Sequence, residues 1–92
     1  MAWRFLYLTK DESEALNRAV NGSGGFETFM RRLQKQFNPA TQTIKLSPSD
    51  LDDIPHYAFD FKQGGWQTRL LKIFERSLGP GLGRAVSEPV TR

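Results

Sequence analysis

The chain predicts an α+β fold, mainly helical, in which a strand-helix-helix unit is written twice around a small two-stranded sheet. Three observations carry that reading. Gly24-Gly25-Phe26-Glu27-Thr28 and Gly64-Gly65-Trp66-Gln67-Thr68 open two amphipathic segments with nearly the same residues. Two short runs rich in aromatic or β-branched side chains, Trp3 to Leu8 and Gln42 to Leu46, have the character of strands. Each runs straight into a helix start, Thr9 with Glu12 in one case and Ser47-Pro48 with Asp50 in the other. In that spacing the hydroxyl accepts from the third helical N–H while the carboxylate reaches back, and proline at the first helical position lacks only an N–H that would go unpaired.

Taken in order, the first strand alternates Arg4, Leu6 and Leu8 on one face with Trp3, Phe5 and Tyr7 on the other. The first helix is expected over about Asp11 to Asn21, with Ala15, Leu16, Ala19 and Val20 on one side and Gly22 as a left-handed stop. After the first glycine pair, Phe26, Phe29, Met30, Leu33 and Phe37 form a helical apolar stripe. Asn38-Pro39-Ala40 join the halves, and Thr43 and Lys45 take the second-strand face that matches Phe5 and Tyr7. Ile54-Pro55 predicts a break, with a new helix begun by Pro55 and carrying Tyr57, Ala58, Phe59 and Phe61. The last helix aligns Trp66, Leu70, Ile73, Phe74 and Leu78. The expected organisation is one domain over 1–78, with pseudo-repeats 1–37 and 41–78, and a glycine- and proline-containing disordered tail over 79–92.

Composition narrows the classes of function. At 92 residues the chain suits a single domain with a small core. The absence of cysteine excludes disulfides, thiolate chemistry and cysteine-ligated zinc. Apolar runs near the N-terminus are too short for an export signal or a membrane span, so a soluble cytoplasmic protein is expected, with no membrane partner. Thirteen Lys and Arg against ten Asp and Glu give a net charge of +3, a hint of an anionic partner.

That charge is distributed unevenly. Arg31, Arg32 and Lys35 face away from the apolar stripe of one long helix, and Arg69, Lys72 and Arg76 from that of the other, while Asp50, Asp52, Asp53 and Asp60 crowd the segment between. These six cations are the candidate nucleic-acid contacts. A helix, a glycine turn and a second basic helix also outline a helix-turn-helix reader, with Gln63, Gln67 and Thr68 near the bases. Against it, Gln67 lies within the apolar arc of its helix, which suits an internal or capping role.

The glycine pairs at helix starts expose backbone N–H groups to a possible anion. The competing explanation is a left-handed turn with a close backbone crossing, and neither pair matches a Walker loop or dinucleotide fingerprint. His56 lies near Asp52 and Asp53, but one histidine among aspartates at a helix start is explained by the helix dipole and lacks converging metal ligands. Trp3, Phe5 and Tyr7 with Lys45 form a candidate stacking or interface surface if helices cover only the other face of the sheet, and are core if helices cover both.

Ile54-Pro55-His56-Tyr57-Ala58-Phe59-Asp60, followed by Gly64-Gly65-Trp66-Gln67 and Ile73-Phe74-Glu75-Arg76, resembles short uncharacterised proteins of bacterial mobile elements such as integron cassettes and prophages. That resemblance covers about Leu46 to Leu78 and implies a bacterial cytoplasm without implying an activity. The resulting expectation is a non-enzymatic binding protein without a cofactor or metal. It is a homodimer whose sheet becomes four-stranded across two copies, and nucleic acid is favoured as partner through the basic helix faces. The alternative is a protein-interaction or homodimeric module using the strand aromatics and an open sheet edge.

Overall fold

The computed structural model describes residues 3–61 and 64–83. Among these the order is β1 (Arg4–Tyr7), α1 (Lys10–Asn17), α2 (Gly25–Lys35), β2 (Phe37–Asn38), β3 (Thr43–Leu46), α3 (Pro48–Pro55), a π-helical turn (His56–Asp60) and α4 (Gly64–Leu78). The three strands form one antiparallel sheet in the order β1-β3-β2. Arg4 pairs with Leu46, Phe5 with Lys45, Leu6 with Ile44 and Tyr7 with Thr43.

The sheet has one strand more than the sequence predicts. Phe37 ends the apolar stripe of α2, but the chain leaves the helix at Gln36 and pairs Phe37 with Ile44 and Asn38 with Thr43. A two-residue strand carries too little pattern to be seen in sequence. The connection back passes through Gln42, which holds a left-handed φ of 57°. That strained backbone is secured from both ends: Leu8 N–H donates to the Gln42 carbonyl at 2.8 Å, and the Gln42 amide donates to the Leu8 carbonyl at 3.0 Å.

Helices cover one face of the sheet. Leu6, Leu8, Ile44 and Leu46 point into that layer and join Ala15, Leu16, Phe29, Met30, Leu33, Ile54, Ala58, Leu70, Ile73 and Phe74 in a single core. Both expected capping boxes are present, Thr9 with Glu12 and Ser47 with Asp50. Leu82 is also buried in the core, within turns that follow α4. The rest of the stretch read as a disordered tail, 84–92, lies outside the described residues.

Two helix ends differ from expectation. α1 stops at Asn17 rather than Asn21, so Ala19 lies outside it, and Gly22, with φ of 95°, shapes the following loop instead of capping the helix. Pro55 does not break the chain direction. It closes α3, and the backbone continues directly as a π-helical turn. No helix among the described residues is long and apolar enough to cross a membrane.

Candidate functional site

The outer face of the sheet is bare. Trp3, Phe5 and Tyr7 leave 46%, 64% and 57% of their surface in solvent, whereas Leu6 between them is buried. Lys45, paired with Phe5 across the sheet, extends over the ring of Trp3 with its ammonium 4.5 Å from the ring centroid. Stacking of that kind covers one face of the indole with positive charge, and the Arg76 guanidinium lies 5.9 Å from the Tyr7 ring centroid in the same way, while no cation is placed over Phe5 among the described residues.

The edge of β1 is open as well. Because Leu8 N–H bonds to the Gln42 carbonyl, alternation along the ladder turns the backbone groups of Arg4, Leu6 and Leu8 toward β3 and those of Trp3, Phe5 and Tyr7 away from it. Of that outward set, the Tyr7 carbonyl accepts from Arg76 Nη2 at 2.6 Å. The exposed aromatic side chains thus share their residues with the outward backbone edge, which is free at Trp3 and Phe5 among the described residues and occupied at the Tyr7 carbonyl.

The six candidate cations have a different environment. Arg69 leans from α4 onto the end of α1, where Nε donates to the Ala15 carbonyl at 3.0 Å and Nη2 to those of Leu16 and Arg18 at 3.3 and 2.6 Å. From α2, Gln34 donates to the Leu16 and Arg18 carbonyls, and Arg31 donates to those of Val20 and Gly22. These groups replace the capping residues that α1 lacks in its own sequence, and they bring positive charge to the negative end of the helix dipole.

Arg76 binds Glu12 through Nε and Nη2, at 3.0 and 2.9 Å. Arg32 donates to Asp50 at 2.7 Å and lies 3.6 Å from Asp53. Lys35 and Lys72 make no ion pair or side-chain hydrogen bond among the described residues. Of the residues placed near bases in a helix-turn-helix reading, Gln67 and Thr68 lie in the first turn of α4, and Gln63 falls outside the described residues.

These contacts reset the acidity of their partners. Burial alone would raise the pKa of Glu12, but hydrogen bonds from Arg76 and from the Thr9 backbone and hydroxyl hold it below its ordinary value. Asp50 follows the same logic: burial opposes ionisation, and the Ser47 N–H, the Gln36 amide and the Arg32 charge outweigh it. Burial, and then the charge of Arg18, lower the pKa of Arg69. His56 Nδ1 lies 2.6 Å from Asp60 Oδ2, so the histidine pairs forward along the π-helical turn. No group of three or more His, Cys, Asp or Glu among the described residues is placed to hold a metal ion.

At one end of the molecule, Phe26, Tyr57, Phe61 and Trp66 gather from three elements. Phe26 stacks on Trp66 at 5.6 Å and meets Tyr57 edge-on at 5.2 Å. The two glycine-led helices therefore touch through the residues that follow their glycines. Arg18 was not among the sequence-based candidates. It sits beside Trp66 and Arg69 because α1 ends early, and nothing in the local pattern announces that. No protein-family model, curated protein or solved structure matches the chain.

Proposed function

We propose that the protein is a non-enzymatic binding module that self-associates through β1, joining the sheets of two copies at their open edges. The observation that carries this is the coincidence of three exposed aromatic side chains with an outward backbone edge that no strand pairs among the described residues, only its Tyr7 carbonyl being bonded, to Arg76. The strand is self-complementary. An antiparallel two-fold pairing centred on Phe5 sets Trp3 of one protomer against Tyr7 of its partner and Arg4 against Leu6, with no like charges opposed. With three strands in each copy the shared sheet would hold six rather than four.

Single-stranded nucleic acid on the same face is the second reading, favoured by the Lys45 ammonium beside Trp3 and by the net positive charge. Contact through the basic helix faces is the weaker form of the nucleic-acid proposal, because Arg31, Arg32, Arg69 and Arg76 already serve internal acceptors. Lys35 and Lys72 are its best remaining residues.

Sedimentation across a concentration series, at low and at physiological salt, tests the proposal. The expected result is a salt-insensitive dimer that Phe5→Ser converts to a monomer with unchanged circular dichroism. A monomer at every concentration would overturn it. Salt-sensitive capture of a single-stranded oligonucleotide, lost in Lys45→Ala, would move the surface to the second reading.

The same succession of strand, boxed helix and glycine-led helix in both halves supports an origin by internal duplication. The corresponding boxes at Thr9–Glu12 and Ser47–Asp50 are its most specific trace.

A further inference from the structure

Arg18, Gly65, Trp66 and Arg69 line an open hollow of about 340 Å³ between the end of α1 and the start of α4. Its polar lining consists of donors. Arg69 uses Nε and Nη2 on the carbonyls of α1, which leaves Nη1 with no acceptor among the described residues. Arg18 makes no ion pair there, and the Trp66 indole N–H has no acceptor either. Arg18 also borders a separate opening that holds Asp11, Glu14 and Lys72, but no carboxylate among the described residues lines the hollow shared with Arg69.

Neither guanidinium has an ion pair among the described residues, and burial, then the charge of Arg18, lower the pKa of Arg69. An anion between the two would take up the unused donors. The glycines point the same way. Gly64 and Gly65 have no positive φ, and a Cβ at either would meet nothing within 4 Å, so neither backbone conformation nor described packing calls for glycine here. Their lack of side chains leaves the mouth of the hollow and the first N–H groups of α4 uncovered.

We propose that this hollow binds the phosphate group of a small phosphorylated molecule, with Arg18 and Arg69 Nη1 clasping the phosphate oxygens and the Trp66 indole N–H donating a further hydrogen bond. The indole already stacks with Phe26 at 5.6 Å and carries the Arg69 guanidinium 5.3 Å from its centroid. The ligand therefore meets Trp66 at its edge and is selected by charge and donor geometry rather than by ring stacking. The site shares no residue with β1, so it stands or falls apart from the dimer.

Nitrogen-edited NMR of the intact chain tests it, with inorganic phosphate and ribose 5-phosphate titrated at fixed ionic strength against chloride. Saturable shifts are expected at the Trp66 indole and Gly65 amide, with half-saturation on the order of 1 mM or below. Arg18→Gln should raise that midpoint at least tenfold while leaving the rest of the spectrum in place, since the Arg18 side chain is exposed and holds nothing in the fold. Shifts that grow linearly without saturation, or an unchanged midpoint in Arg18→Gln, would overturn the assignment. So would a short oligothymidylate that moves the same resonances at lower phosphate concentration than ribose 5-phosphate, because the ligand would then be a nucleic-acid backbone.

Discussion

Phe5 and Leu6 are neighbours in one strand, yet Phe5 keeps 64% of its surface in solvent and Leu6 keeps 8%. The same contrast runs across the sheet, where Ile44 and Leu46 are fully buried and Lys45 between them is exposed. Hydrophobicity does not sort these residues, since a phenylalanine has at least as much to gain from burial as a leucine. What sorts them is coverage: every helix packs on one side. Polar clamps follow the same division. Arg69, Gln34 and the Glu12–Arg76 pair all lie on the helical side or at its margin, and the aromatic face has Lys45 resting on Trp3 and Arg76 reaching over Tyr7. The covered side is therefore where substitutions should cost folding energy, and the bare side is where they should cost binding.

Ile44→Ala should break this contrast most severely, because it opens a cavity under a fully buried β-branched side chain. A loss of about 3 kcal/mol is expected from urea unfolding, against the intact fold expected of Phe5→Ser on the opposite face. Equal losses for the two would mean that both faces are packed. Next in size is Arg69→Gln, which withdraws a charged donor from three carbonyls at once. It should cost about 2 kcal/mol and speed hydrogen exchange at the end of α1.

Acid sets the smallest of these effects. Glu12 and Asp50 have folded pKa values below their unfolded ones, so each contributes stability that is fully present above the unfolded carboxylate pKa of about 4. That contribution is lost as pH falls below this value and through the depressed folded pKa. A melting series toward acid should show the decline, and Glu12→Gln should flatten part of it. An identical acid limb in the variant would remove Glu12 from the account.

Much of the fold was legible because its signals are local. A capping box needs residues three apart, an apolar stripe needs one helix, and strand alternation needs one strand, so the boxes, the core of α2 and α4 and the two faces of β1 could all be read directly. The arginines were not legible in the same way. Periodicity places Arg69 and Arg76 away from the stripe of α4, but it does not say that the end of α1 and the carboxylate of Glu12 lie where those side chains reach. Pro55 misled because the residue that reads as the start of a new helix is the last residue of α3, from which the chain runs on as a π-helical turn. The Arg18 hollow had no local signature at all, being assembled where one helix stops and another begins.

The carbonyl groups that end α1 are served by a residue 51 to 54 positions further along the chain, and Glu12 by one 64 positions away. Without Arg69 the end of α1 keeps only the donors that Gln34 and Arg31 supply from α2, and its apolar face lacks α4. Local propensity cannot stabilise an eight-residue helix in that state. The first half of this protein is therefore held by the second, through contacts that close long loops.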